Sequence, residues 1–203
     1  MIDQGELDFS GRFSAQTYNE EFFKNINFSE IDLSSKEFYH CIFIDCGFVD
    51  AHLAGSQFDA CSFNSCNLSN PIIDDARFID ADFSLCKLAG ISLYKCSQNV
   101  FDLKFLECRL TSCNFTDIKM KRCSFVKCEI KECFFQNTFL VEADFSESAF
   151  AETVFHDCDL QKAIFRNAHG YSIDPRSNKI NKAVFSVPDV LSLLDGFGIV
   201  VKD

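Results

Sequence analysis

The chain has 203 residues, room for one domain of ordinary size or for a repeat array with a substantial core. Its 30 acidic and 19 basic residues leave a net charge of −11, which disfavours nonspecific attraction to nucleic acid or an anionic membrane and favours a basic partner. No apolar run approaches the length that crosses a bilayer, and 25 phenylalanines beside no tryptophan point to one structural slot filled repeatedly.

Residues 1–10, MIDQGELDFS, are expected to form an N-terminal arm or cap. They carry neither the basic n-region nor the apolar h-region of a secretory signal. The twelve cysteines are therefore expected to stay thiols in a reducing cytoplasm.

Residues 11–170 hold a five-residue repeat. Every fifth position from Phe23 through Phe28, Leu33, Phe38, Phe43 and Phe48 to Leu93 is Phe, Leu or Ile, and Tyr18 and Phe13 extend the series backwards. It fails at Gln98 and resumes two residues out of phase, from Val100 and Phe105 through Leu110, Phe115 and Met120 to Phe165. Two places before each centre lies a second restricted slot, filled mostly by Cys, Ala, Ser or Thr, and all twelve cysteines fall in it. Inward positions thus recur at alternating intervals of two and three. An interval of two puts both side chains on one face of an extended segment, and an interval of three must contain a turn. A square coil of 20 residues satisfies both, with residues 20 apart stacked, as in Phe43, Phe63 and Phe83. Eight coils would make a rod about 38 Å long, and each buried ring would contribute about 1.5–3 kcal/mol.

The units ADFSL, CNFTD, CSFVK, ADFSE and CDLQK resemble those of the pentapeptide-repeat family. That resemblance implies an all-β solenoid, a right-handed quadrilateral β-helix of about eight coils of four pentapeptides, with Phe or Leu stacked along the axis and small residues filling the corners. The phase break at residues 94–102, YKCSQNVFD, reads as a bulge between two stacked blocks, with a protruding binding loop as the alternative.

Residues 171–203 are expected to cap the last coil, because an open layer leaves unpaired strand edges. Ser186 is the expected N-cap of a helix with Pro188 in its first turn. Val187, Val190, Leu191 and Leu194 make its amphipathic stripe, Gly196 its stop, and Ile199–Val201 a short strand after it. This tail resembles the C-terminal segment of family members that protect bacterial type II topoisomerases, albicidin-resistance proteins among them. The resemblance implies a tail-to-tail homodimer through Val187, Val190, Leu191, Leu194, Phe197 and Ile199.

The cysteine pairs Cys41/Cys46, Cys61/Cys66 and Cys108/Cys113, and the triple Cys123, Cys128 and Cys133, invite a metal-site reading. Structural zinc sites use C-x2-C to C-x4-C spacing, which these C-x4-C pairs meet, but the equivalent slots elsewhere hold Ala, Ser or Thr, so packing is the better reading and no metal or cofactor is expected. A disulfide between layers, such as Cys41 with Cys61, is geometrically conceivable, but the compartment argues against it. His40, His52, His156 and His169 are scattered, and no phosphate-binding or nucleophile motif occurs, so no enzyme is expected.

Charge is the remaining signal. Glu37–Cys86 holds eight acids and one base, and Val141–Leu160 six acids and none, while Lys119–Lys131 is a basic belt of five against Glu129. Solubility of a Phe-rich rod explains part of this. The functional alternative is mimicry of DNA toward a basic groove, with Asp45, Asp50, Asp74, Asp75, Asp80, Asp82, Glu142, Asp144, Glu147 and Asp157 as contacts. Residues 11–170 carry a net −8, against roughly 22 phosphates on a duplex of the same length. The resemblance implies a non-enzymatic rod that binds DNA gyrase or topoisomerase IV and modulates it or shields it from a drug or peptide toxin. The alternative is a scaffold for an unrelated protein partner.

Overall fold

The computed structural model describes residues 14–97 and 102–199. The expected arm at 1–10, the centres Phe13 and Val100 and the end of the 199–201 strand lie outside them. Each repeat unit is a short extended segment, most often a three-residue strand or a single bridge, followed by a corner. Ile42–Ile44 buries Phe43 between two outward side chains, and Asp45 then takes φ 53°. A residue in the left-handed region closes nearly every unit, among them Ser65, Asp80, Lys127 and Glu147. That conformation costs a non-glycine residue about 1 kcal/mol, offset where its amide pairs with the coil above, as Asp45 N–H does with the Asn64 carbonyl at 3.0 Å.

Four corners close the square, and the strands stack in parallel into four faces. Face 1 is Thr17–Asn19, Glu37–Tyr39, Gln57–Asp59 and Arg77–Ile79. Face 2 runs from Phe22–Lys24 through Ala81–Ser84, Leu103–Leu106 and Ser124–Val126, and on through Asp144 to Ile164–Phe165 and Val184–Phe185. Face 3 holds Asn67–Ser69, Lys87–Ala89, Arg109–Thr111, Glu129–Lys131 and Ala149–Ala151. Face 4 passes from Asp32 and His52 through Ile72, and from Ser92 and Asn114 to the strands Phe134–Gln136, Val154–His156 and Ser172–Ile173.

Register follows the sequence period. Phe63 pairs with Phe83, Phe83 with Phe105 and Phe105 with Phe125, so the two extra residues are absorbed within one coil and the face 2 ladder continues across the break. Leu93–Lys95 forms a short 3-10 turn there, and residues 98–101 of the break lie outside the described set. An apolar void of about 20 Å³ sits at this level, lined by aliphatic side chains that include Leu53, Leu68, Ile73, Leu88 and Leu103.

Inside, nine rings of face 2 stack from Phe23 to Phe185. Successive centroids lie 4.8–5.1 Å apart with the planes nearly parallel, as the coil spacing dictates. Rings on adjacent faces meet edge-on, as Phe43 and Phe48 do at 5.5 Å and 72°. The cysteine slot is more than a small space. Cys46 Sγ donates to the Phe23 carbonyl, Cys66 to Phe43 and Cys128 to Phe105, each a bond to the coil below. Ser148 fills the same column one coil up, donating to the Phe125 carbonyl at 2.6 Å and accepting the Cys128 N–H at 2.8 Å. All twelve thiols are buried and free.

Stacking runs past Ala168 through Tyr171, Ile173 and Phe185. Gly170 stands where a centre residue would, at φ +73°, because a Cβ there would collide with the Phe150 carbonyl. Asn178 then fills the slot, accepting the Cys158 N–H at 2.9 Å and donating to the Phe155 carbonyl at 3.0 Å. The helical cap is present as a 3-10 helix, Asp189–Phe197, with different ends from those expected. Pro188 is its N-cap, because Ser186 Oγ is already engaged by the Asn167 N–H. Gly198, in the left-handed conformation, ends it in place of Gly196. Leu193, off the expected stripe, is the buried residue of the helix. Val190 is half-buried against the core and Leu194 half-buried, while Val187, Leu191, Phe197 and Ile199 are exposed.

Candidate partner-binding face

Outward side chains inherit their face from position modulo the 20-residue coil, so charge has to be sorted by face rather than along the chain. Over seven coils face 4 and its two corners comprise residues 30–35, 50–55, 70–75, 90–97, 112–117, 132–137 and 152–157; the eighth, at Ser172–Ile173, adds the Asp174–Arg176 ion pair and no net charge. Of the 26 acids and 17 bases among the described residues, nine acids and one base lie in those seven coils, leaving 17 and 16 elsewhere. Nearly all the net charge of the rod is on one side. The acids are Glu30, Asp32, Asp50, Asp74, Asp75, Asp117, Glu132, Glu152 and Asp157, and they extend over seven coils, about 29 Å.

The single base, Lys95, sits 3.6 Å from Asp74. Asp117 accepts Asn137 Nδ2 at 2.7 Å, and Asp157 lies 3.3 Å from His156 Nε2. The Asp32 carboxyl is held below the usual carboxylate range by hydrogen bonds from Ser34, helped by His52 and Lys36. Glu132 is lowered by Lys131 and by the Ser112 hydroxyl. Asp32 and Glu132 are therefore ionised at neutral pH, and large apolar side chains stand out from the face, Ile72, Phe134 and Val154 in one column and Tyr94 in the next.

Of the contacts expected from sequence, Asp50, Asp74, Asp75 and Asp157 come together on face 4. The other six do not join them. Asp80 and Asp82, at the corner and on the surface of face 2, share Lys104 at 3.1 Å each. Glu142 lies between Lys162 at 3.0 Å and Arg122 at 3.5 Å, with its pKa lowered chiefly by the Lys162 bond. Glu147 faces Lys127 at 4.0 Å, Asp144 accepts from Ser146, and Asp45 occupies the corner between faces 2 and 3. Sequence reading missed Glu30, Asp32, Asp117, Glu132 and Glu152, which a 20-residue sorting would have gathered. The basic belt wraps the other three sides: Lys119 and Lys121 on face 1, Arg122 and Lys127 at corners of face 2, Lys131 on face 3. It reaches face 4 at the Glu132 corner, where Lys131 Nζ lies 3.1 Å from the carboxylate.

Among the described residues, no group of three or more His, Cys, Asp or Glu is placed to hold a metal ion, and no helix is long and apolar enough to cross a membrane. The thiols sit in the wall of the rod, and burial pushes Cys96 up to about 12.

Comparison with known proteins follows the same repeat. A family model described as a pentapeptide repeat region matches residues 56–135, and one for pentapeptide repeats, in eight copies, matches 128–167. A model of the SV2A/B/C luminal domain matches residues 2–88, over the first arm of the five-residue series. No curated protein matches by sequence. Among solved structures, a trypsin-treated variant of QnrB1, a plasmid-mediated fluoroquinolone resistance protein, is 20% identical with a TM-score of 0.63, covering 94% of this chain and 92% of that one. A second QnrB1 variant gives 14%, 0.59, 92% and 100%. HetL, a pentapeptide repeat protein involved in heterocyst differentiation regulation in the cyanobacterium Nostoc sp., is 14% identical at a TM-score of 0.34, covering 83% of this chain and 84% of that one. At these identities the QnrB1 likeness establishes a shared fold.

Proposed function

The chain belongs to the pentapeptide-repeat family, and we propose that it is a non-enzymatic cytoplasmic rod whose acidic face occupies the DNA-binding groove of a type II topoisomerase, DNA gyrase or topoisomerase IV. Binding modulates the enzyme or shields it from a drug or peptide toxin. The observation that carries this reading is the segregation of nine acids and one base onto one face. A duplex of about 29 Å bears roughly 17 phosphates, so the face supplies about half that charge, all directed one way. The QnrB1 likeness makes fluoroquinolones the first poisons to try. The exposed Val187, Leu191, Phe197 and Ile199 support a homodimer through the C-terminal segment, with Val190 and Leu194 behind them.

The test is a gyrase supercoiling assay with and without fluoroquinolone, albicidin and microcin-type poisons. Wild type inhibits supercoiling or rescues it, and the quadruple change Asp50→Asn, Asp75→Asn, Asp117→Asn and Asp157→Asn abolishes the effect. Activity that survives this change, or no activity in wild type, rejects the reading. Light scattering at the 23.1 kDa monomer mass would reject the dimer. A second reading, a scaffold for an unrelated protein, is favoured by the exposed apolar side chains of face 4, Ile72, Tyr94, Phe134 and Val154, which no duplex possesses. Stoichiometric capture from host lysate of a protein other than topoisomerase would support it.

A further inference from the structure

We propose that face 4 docks a basic amphipathic α-helix of the partner, laid along the rod axis. Its apolar side rests on Ile72, Tyr94, Phe134 and Val154, and its Lys and Arg side chains reach the acids on both rims. This deepens the reading of face 4 as the partner-binding face and rests on it.

Two independent features coincide here. The four apolar side chains are 43–49% exposed and span about 19 Å of the axis, Ile72, Phe134 and Val154 in one outward column and Tyr94 in the adjacent one, a coil above Asp74. At the corner beside the first column stand Asp50, Glu132 and Glu152, and at the corner beside the second Asp75, Asp117 and Asp157, with Asp74 in the second column itself. The acids alone would suit any polycation, and the apolar side chains alone would suit any greasy surface. Together they select a partner with both properties on one narrow element. Exposed apolar residues on the other faces lack such a frame. Leu106 and Ile42 on face 2 share their surface with Lys104 and Lys24, and Phe139 on face 1 adjoins Lys119 and Lys121.

The shape of the face selects a helix. A three-residue strand between corners is about 10 Å wide, close to the diameter of an α-helix. A helical turn rises about 5.4 Å and a coil about 4.8 Å, so side chains one turn apart fall near successive coils, drifting less than about 2 Å over three of them. Between Ile72 and Phe134 the column holds the small Ser92 and Asn114, which leave a notch for one large side chain of the helix. Pairing by an added strand is not available, because the amides of the face are engaged with neighbouring coils, as Phe134 N–H is with the Cys113 carbonyl and Val154 N–H with Cys133.

The probe is a labelled synthetic peptide of about 18 residues with Leu at i, i+3, i+4 and i+7 and Lys elsewhere, titrated by anisotropy into the full chain with helicity followed by circular dichroism. Binding is expected to raise peptide helicity. The pair Tyr94→Ser and Phe134→Ser should weaken it about tenfold, and Asp75→Asn with Asp117→Asn should weaken it and flatten its salt dependence. The face 2 control, Ile42→Ser with Leu106→Ser, should leave affinity unchanged. Binding that ignores the Tyr94 and Phe134 changes, that is matched by a Lys-only peptide, or that brings no gain in helicity overturns the proposal. The same variants in the supercoiling assay separate the two levels. If they lose the peptide but keep their effect on gyrase, helix docking stands and the topoisomerase reading of this face falls.

Discussion

Removing one ring from the middle of the stack measures how rigidly the coils hold their spacing. Phe125 is fully buried, with Phe105 at 4.8 Å and Phe145 at 5.1 Å above and below, and Phe115 and Phe135 edge-on at 5.6 and 5.9 Å. In Phe125→Ala the two stacked neighbours cannot close the gap, because the strand ladder fixes their separation at two coils. The hole stays open, and the cost falls at the upper end of the usual range, about 5 kcal/mol. Phe83→Ala is the informative comparison. Phe83 borders the small void at the phase break, where Leu68, Leu88 and Leu103 have rotamers in which to move inward, so about 3 kcal/mol is expected. With an m-value of about 2 kcal/mol/M, the urea midpoints should drop by roughly 2.5 M and 1.5 M. Far-UV circular dichroism during urea titration reads both. A Phe125→Ala variant that loses less than about 2 kcal/mol, or less than Phe83→Ala, would refute a stack held at fixed spacing.

The thiol slot gives a second test: Cys128→Ser should melt within a few degrees of wild type, since Ser148 makes the equivalent bonds in the same column, whereas Cys128→Val should cost about 1–3 kcal/mol by overpacking and by losing the donor. Leu85 takes φ 55° at an exposed corner, so Leu85→Asn should raise the thermal midpoint, stabilising by about 1 kcal/mol. The Asp174 carboxyl is held at about 2 by Arg176, bonded at 2.7 Å, so its contribution is present above the ordinary carboxylate pKa and is lost as pH falls from about 4 toward 2. Hydrogen-exchange protection at Ser177 and Asn178, whose amides bond the Asp174 carbonyl, should decline over that window, and in Arg176→Gln it should decline at higher pH. Native protein should leave its twelve thiols unreacted with an aromatic disulfide reagent at pH 8, and all twelve should react after unfolding.

The core was legible because it obeys one rule at one period. Phe43, Phe63 and Phe83 stack as their spacing requires, and the two-residue slip between Phe83 and Phe105 is visible in the series itself. The corners were less so. Leu85 and Lys127 take positive φ although neither residue type advertises it, because the coil-to-coil hydrogen bonds override local preference. The slot read as a matter of size, yet Asn178 occupies it through its amide, a hydrogen-bonding role that composition alone conceals. The candidate face was missed in part because neighbours in sequence were taken as neighbours on the surface. Asp80 and Asp82 adjoin Asp75 in the chain, but a corner turns them toward Lys104, while Asp75 and Asp117 share an edge across a gap of 42 residues. The ends of the C-terminal helix depended on Ser186 binding Asn167, a tertiary contact with no local signature.

Because each unit advances the chain by one side of the square, length and orientation are linked in steps. Excising a single five-residue unit above the break would rotate everything beyond it by a quarter revolution, carrying Glu132, Glu152 and Asp157 around to a neighbouring side while leaving every interior ring a partner. Excising four units would shorten the column and keep its sides aligned. Whatever the acidic side recognises can therefore be scrambled or preserved by choosing five or twenty residues, with no charge removed.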